Sequence, residues 1–379
     1  MFSVLFHVYS LRWTVPCFVL MGVTPIYNTV WGLLRTLTAP LPQRIYRIGD
    51  DAMFSHYFRL VLFFFHTYAK PKVYFYGDIN QLLKDDENVI YLSNHQCTVD
   101  WIVAGILSEQ KGCPGIVRYI MKDGLKYLPL YGHYFYQHGN VISSGNFSMH
   151  GNVFVGRSGK FKKEKLEKQL QYLKCNNMPV WLVIFPEGTR YNPDLPQVIE
   201  KSKQFALESG YTELQHVLTP RTQAFKCSLQ QLAGHVTAVY DVTIAYSNTF
   251  NSESGERTPA YGMPDFLMGK SAEIHLNLER INIKDIPTDE NKLNDWMYKQ
   301  FAKKDRLLSE FYNPDSDNFG KFPGVSSVIN VKARRTIPPF LFYSISLAAI
   351  MSTASSRALY WKITLAMSIG GIIWVSIRL

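Results

Sequence analysis

The chain of 379 residues has only five cysteines, Cys17, Cys97, Cys113, Cys175 and Cys227, and no paired spacing among them. An odd, sparse set excludes a disulfide scaffold and points to reducing surroundings. Zinc-ligand spacing is absent, as are a glycine-rich nucleotide fingerprint and any recognisable RNA-binding motif. No metal and no bound cofactor is expected. Residues 1–11 lack lysine and arginine, and no clean cleavage site follows. The apolar N-terminal stretch therefore reads as a retained anchor rather than a removed signal peptide.

The length suits one large domain with membrane segments, or two domains. Lysine and arginine number 40 against 30 acidic residues, a net charge of +10. That excess calls for an anionic partner, a membrane surface or a phosphorylated ligand, rather than nucleic acid.

Residues 13–34 are mostly apolar and aromatic, near the roughly 20 residues a spanning helix needs. Pro16 and Pro25 interrupt them, which predicts a kinked or re-entrant helix. Arg35, Arg44 and Arg47 follow and place the downstream domain in the cytosol by the positive-inside rule. Near the C-terminus, residues 338–355 and 359–377 form two apolar runs around Ser355-Ser356-Arg357, with Lys332, Arg334 and Arg335 before them. They predict a membrane hairpin. A core hairpin would have to bury both helices on all sides. The aromatic run Tyr57–His66 is too short to span and suits the core or an interfacial helix. These boundaries give an anchor over 1–40, a domain over 41–325 and a hairpin over 326–379.

Between the ends, Val73–Tyr76, Val89–Leu92, Val180–Phe185 and Ala238–Tyr246 read as strands. Residues 161–174 read as an amphipathic helix with Leu166, Leu170 and Leu173 on one side. Alternating strands and helices predict an α/β fold, a mixed sheet flanked by helices.

The most informative segment is Asn94-His95-Gln96-Cys97-Thr98-Val99-Asp100. Histidine suits proton transfer near neutral pH. A carboxylate nearby can fix its tautomer and stabilise its cation, as in a Ser-His-Asp triad without the serine. The missing nucleophile can then belong to an alcohol substrate. At about 100° per residue, five helical positions leave the two side chains roughly 140° apart. The pair therefore requires His95 in a loop and Asp100 inside the apolar helix of Trp101–Leu107. A plain turn asparagine and an ordinary helix carboxylate fit the same residues.

Three further clusters follow. Phe185-Pro186-Glu187-Gly188-Thr189-Arg190 comes directly after an apolar strand, where α/β folds place ligand loops. Gly188 permits close backbone approach, and Arg190 suits a fork-shaped phosphate contact. A local Glu187–Arg190 salt bridge is the competing reading. Gly151-Asn152-Val153-Phe154-Val155-Gly156-Arg157 is a short strand leading to an arginine, and Val217-Leu218-Thr219-Pro220-Arg221 ends a strand at a proline. Singly, neither says more.

In this order the four clusters resemble the glycerophospholipid acyltransferases of the lysophosphatidic acid acyltransferase family. Asn94, His95 and Asp100 match its Asn-His-x4-Asp block. Gly151, Phe154, Val155 and Arg157 match its second, and residues 185–190 match its third without a change. Val217 and Pro220 match the fourth with one extra residue between. The likeness extends over nearly the whole chain. It implies transfer of an acyl group from acyl-CoA, as co-substrate, to the sn-2 hydroxyl of lysophosphatidic acid, giving phosphatidic acid. In that scheme His95 is the general base and Asp100 its orienting partner. Glu187, Gly188, Thr189 and Arg190 form the acceptor site, Arg157 holds the phosphate, and Asn94, Gly151, Phe154, Pro186 and Pro220 support the loops. Lys122 and Lys126 either meet phosphates or are solvated. Cys97, at a variable position of the first block, is a bystander. The resemblance also implies an endoplasmic reticulum membrane location, with mitochondria as the alternative. Transfer to another lysophospholipid such as lysocardiolipin, an inactive lipid-binding membrane scaffold, and a hydrolase are the competing functions.

His138-Gly139-Asn140-Val141 recurs as His150-Gly151-Asn152-Val153, a departure from the family pattern. Residues 138–149 read as an insertion, either a surface loop or an alternative exon; the segment is rich in Ser, Gly and Asn. Its deletion is expected to leave a folded, active protein in an acyl-transfer assay. A dead or unfolded product overturns that reading.

Overall fold

The computed structural model describes residues 2–77, 83, 86–137, 153–155, 163–270 and 273–377. The insertion read over 138–149 lies outside them, as do Gly151 and Arg157. In chain order the main elements are α1 (Phe2–Leu37), α2 (Gln43–Leu62), β1 (Val73–Gly77), β2 (Val89–Ser93), α3 (Asp100–Gln110), β3 (Val117–Lys122), α4 (Gly132–Gln137), β4 (Val153–Val155) and α5 (Lys163–Cys175). There follow β5 (Trp181–Ile184), α6 (Pro196–Glu208), α7 (Gln223–Gln231), β6 (Ala238–Tyr246), β7 (Phe250–Asn251), β8 (Glu256–Arg257), β9 (Ile274–Asn282), α8 (Glu290–Tyr312), β10 (Ser327–Val328), α9 (Ala333–Ser352) and α10 (Ala354–Ile377).

Contacts divide the chain into two units. One comprises Ala69–Ala104 and Trp181–Asn330; the other comprises Met1–Tyr68, Gly105–Val180 and Val331–Leu379. The division does not follow chain order. In the second unit α2 packs with α1 and α9, and its aromatic tail stacks Phe63 on Phe340 at 3.9 Å, so the terminal helices gather central segments around them.

The first unit is built on a sheet of order β10-β1-β9-β6-β2-β5. All residues of β2, β5 and β6 are buried, which suits the apolar runs of β2 and β5; β6 carries Asp241 and Thr243 within its run. β2 pairs parallel with both β5 and β6, while β9 runs antiparallel to β6 over nine residues and parallel to β1. The sheet is mixed, as expected. β9 was not among the strands read from the sequence, although Ile274, Leu276 and Leu278 alternate with polar residues at the strand period of two. Because β5, β2 and β6 are parallel neighbours, their C-terminal ends open on the same side. That edge receives the loops that follow each strand.

Helix α8 covers the sheet with Leu293, Met297, Phe301, Leu308 and Phe311, all buried at helical spacing. Its start is capped by Asp289, which accepts from the Lys292 N–H at 3.0 Å. Lys304, fully buried on this face, donates to the Val242 carbonyl at 2.8 Å and pairs with Asp241.

The second unit contains α1, α2, α9 and α10. α1 runs as one helix through Pro16 and Pro25, so the interruption expected there does not break it. Ser10–Leu37 and Ala354–Ile377 are long and apolar enough to cross a membrane, and α9 is not among the helices that qualify. Tyr57–His66 forms the end of α2 and the first turns of a π-helical segment, with Phe58, Phe64 and Phe65 buried. Glu109, 1% exposed, joins Arg59 at 3.0 Å and Arg335 at 3.1 Å, tying α3 to α2 and α9. Lys126 is buried with its ammonium 5.0 Å from the Tyr127 ring centre, and the Lys122 side chain lies outside the description.

Just before β2, Glu87 accepts two bonds from Arg280 of β9, at 2.9 and 2.8 Å, and one each from Tyr240 and Thr237. Burial pushes its carboxyl up, but the bonds from Arg280, Tyr240 and Thr237 together outweigh it and hold it below the usual carboxylate range. A carboxyl so lowered stabilises the fold above its unfolded pKa, and this contribution is lost as pH falls through the folded value. Glu87→Gln is expected to cost about 2 kcal/mol at neutral pH. The gap from the parent in thermal melts should narrow below about pH 4.5. An equal gap at all pH values refutes the assignment.

Candidate active site

The first loop of the site leaves β2 at Ser93. Asn94 extends the strand pairing with its side chain: Oδ1 accepts from the Ile244 N–H at 2.8 Å and Nδ2 donates to the Ile244 carbonyl at 3.0 Å. Only an amide supplies both functions there, since an aspartate lacks the donor. Gln96 Nε2 donates to the same carbonyl at 2.8 Å. His95 therefore sits in a loop pinned on both sides to β6, and Asp100 is the first residue of α3. This arrangement lets residues five apart meet.

His95 Nδ1 lies 2.7 Å from Asp100 Oδ2. The same oxygen accepts the backbone N–H groups of Gln96 at 2.7 Å and Cys97 at 2.9 Å. Tyr246, the last residue of β6, donates its hydroxyl to Asp100 Oδ1. Asp100 is fully buried, whereas the His95 side chain is 22% exposed. With a carboxylate at Nδ1, that nitrogen carries the proton and Nε2 is left as the basic atom. Nε2 has no hydrogen-bond partner among the described residues. The imidazole stacks on Phe185 at 4.4 Å and 23°, which fixes its plane.

Phe185 opens the second loop, at the end of β5. Gly188 adopts φ +70°, the left-handed region that a side chain disfavours, and this turns the loop back. Glu187 points inward. Its Oε1 accepts the His95 N–H at 2.9 Å and its Oε2 the Leu218 N–H at 3.3 Å. Burial drives this carboxyl well above its ordinary range, against the pull of the two backbone donors. No ion pair joins Glu187 to Arg190 among the described residues, so the local salt bridge is not formed. Arg190 is exposed, with no side-chain partner among the described residues, and Thr189 is half-buried. The Tyr191 N–H donates to the His95 carbonyl at 2.8 Å, returning the loop to the first.

The third loop carries Val217 and Pro220, both buried. The Arg221 N–H donates to the Pro186 carbonyl at 2.9 Å, and Asp305 of α8 gathers the N–H groups of Gln215, His216 and Val217. Beside it, Arg257 of β8 joins His216 Nδ1 at 3.1 Å and Gln96 Oε1 at 2.8 Å, with its guanidinium 3.7 Å from the centre of the Tyr312 ring. Burial and then Arg257 hold His216 down at about 4, so it is neutral and accepts this bond.

Thus the structure brings together His95, Asp100, Asn94, Pro186, Glu187, Gly188, Thr189, Arg190 and Pro220. Gly151 and Arg157 fall outside the described residues, and Phe154 is placed by its backbone alone, in β4. Sequence reasoning passed over Tyr246, Gln96 and Arg257. A phenol at the end of a buried strand was the one signal for Tyr246. No local signal could pair it with Asp100, 146 positions away. Cys97 is buried with its thiol 3.1 Å from the Tyr261 carbonyl, and burial, with Asp100 adding to it, pushes the thiol up to about 12. A thiol so held is not a nucleophile at neutral pH.

Residues 72–247 match the family model described as "Acyltransferase", and residues 265–343 match that of the "Acyltransferase C-terminus". The chain is 38% identical to the mouse 1-acyl-sn-glycerol-3-phosphate acyltransferase epsilon over 99% of both chains. It is 31% identical to the probable 1-acyl-sn-glycerol-3-phosphate acyltransferase 5 of Arabidopsis thaliana, over 85% of this chain and 78% of that one. A crystal structure of the 1-acyl-sn-glycerophosphate (LPA) acyltransferase of Thermotoga maritima is 16% identical at a TM-score of 0.45, covering 82% of this chain and 98% of that one. The full-length match to the mouse enzyme and the family-model match over the site-bearing segment establish that the chain belongs to the acyltransferase family, as an enzyme of the 1-acyl-sn-glycerol-3-phosphate acyltransferase type.

Proposed function

We propose that the chain transfers a fatty acyl group from acyl-CoA to the sn-2 hydroxyl of lysophosphatidic acid, giving phosphatidic acid. One observation carries the chemistry: a buried carboxylate orients a part-exposed histidine, and the Cys97 thiol near them is buried and held protonated. The acceptor hydroxyl supplies the nucleophile. His95 Nε2 takes the hydroxyl proton as the oxygen attacks the thioester carbonyl. Asp100 stabilises the imidazolium that forms. The tetrahedral intermediate collapses, the C–S bond breaks, and the proton passes from His95 to the departing CoA sulfur. No acyl-enzyme and no redox step are needed.

The acceptor choice rests on the names of the relatives and on the outward face of the second loop. Arg190 presents an uncompensated cation beside Gly188 and Thr189, suited to a phosphate. Glu187 supports this site from beneath, through the His95 backbone. Arg157 is assigned to the phosphate by the family resemblance alone. The two long apolar helices fit an enzyme whose substrate and product reside in a bilayer. We place it in the endoplasmic reticulum membrane with the site facing the cytosol. A fluorescent fusion tests that location, and mitochondrial signal contradicts it. The intact His95–Asp100 geometry weighs against an inactive scaffold.

Labelled acyl-CoA with a lysophospholipid panel tests the activity. His95→Ala is expected to lose about 10²–10⁴-fold in rate, and parental rates in this variant end the proposal. A parental preference for lysocardiolipin over lysophosphatidic acid replaces the acceptor. Arg190→Ala should raise KM for lysophosphatidic acid about ten- to a hundredfold, the loss of one charge-assisted contact. An unchanged KM removes Arg190 from the acceptor site. Cys97→Ser is expected to keep most of the activity, and its abolition would revive a thiol mechanism.

A further inference from the structure

We propose that Tyr246 is a positioning residue of the His95–Asp100 pair, holding Asp100 Oδ1 so that Oδ2 alone faces the imidazole and its charge is partly shared with the phenol. The inference rests on the reading of His95 as general base. Asp100 has no exposure to water, so its donors must come from the protein. Oδ2 has three: the imidazole and the N–H groups of Gln96 and Cys97. Among the described residues Oδ1 has one, the Tyr246 hydroxyl. Tyr246 stands at the C-terminal end of β6, parallel to and directly beside β2, from which the His95 loop emerges. The same strand holds Asn94 and Gln96 through Ile244, so β6 sets both the backbone and the carboxylate of the pair. The Tyr246 phenol, deeply buried and next to a carboxylate, keeps its proton and serves as a donor.

Other ionisable groups face the pair. The Cys97 thiol lies beside Asp100, and the Glu187 carboxyl meets the His95 N–H from the β5 loop, with Lys304 of α8 beyond it. Arg257 reaches in from β8 through Gln96 and is tied to His216 and Tyr312. None of these donates to Asp100 Oδ1.

A hydrogen bond to a carboxylate disperses its charge. Without the phenol, Asp100 attracts a proton on the imidazole more strongly. The histidine is then freed for base catalysis only at higher pH. Tyr246→Phe should therefore move the acidic limb of log kcat/KM against pH upward by about half a unit to one unit. The 3-fluorotyrosine variant at 246, with a stronger donor, should move it downward.

The experiment measures pH profiles of acyl transfer for the full chain in detergent, with parent, Tyr246→Phe, the fluorotyrosine protein and His95→Ala side by side. Opposite displacements of the limb support the proposal. A rate loss uniform in pH, an unmoved limb, or equal movement in both variants overturns it and leaves Tyr246 a packing residue. If Tyr246→Phe does not fold, the fluorotyrosine protein alone decides by the direction of its limb. Parental activity in His95→Ala is the separate outcome that defeats the general-base reading itself.

Discussion

The site depends on one buried carboxylate and its donors. Asp100 draws the imidazole of His95, two backbone N–H groups of the intervening loop and the hydroxyl of Tyr246 onto its two oxygens. Bonds to a charged group are each worth about 1.5–3 kcal/mol net, and leaving such a group buried without them costs more. The loop from Asn94 to Val99 has little regular structure of its own, so this convergence decides its path. The histidine is held because the carboxylate cannot do without its donors.

Glu187 does the same between loops. By accepting from His95 and from Leu218, it joins the loop after β2 to the one after β5 and the one before Pro220. Tyr191 and Arg221 return bonds to His95 and Pro186, so the three loops form one closed set of backbone contacts. Parallel pairing of β5 and β2 is the precondition for the first two, because it sends both out on one edge; the third lies between α6 and α7. Glycine at 188 permits the sharp turn that leaves Arg190 outward while Glu187 goes inward. Neighbouring residues of one short motif therefore have opposite fates, one buried and one exposed.

In the other unit the same reliance on buried acids recurs. Glu109 gathers Arg59 and Arg335, linking elements far apart in the chain. A buried acid of this kind depends on its partners, because removing one leaves a buried charge uncompensated. The prolines of α1 do not end the helix, and the Thr29 hydroxyl satisfies one of its carbonyls, that of Pro25.

Much was legible in the residues alone. The apolar runs of β2 and β5, and the largely apolar one of β6, marked them as strands because strands buried on both faces need no polar alternation. The His95–Asp100 spacing excluded a common helix and demanded a loop followed by a helix start, which is the arrangement found. The amino-acid sequence by itself determined the groups available: a histidine, a carboxylate five positions on, an arginine in a glycine-bearing motif and apolar stretches near both ends. The tertiary structure alone decided which groups act together. It set Glu187 beneath His95 as a tie between loops, and it withdrew Cys97 into a buried site. It brought Tyr246 to Asp100 across 146 positions. Local spacing carries no record of pairings that exist only because β6 lies beside β2.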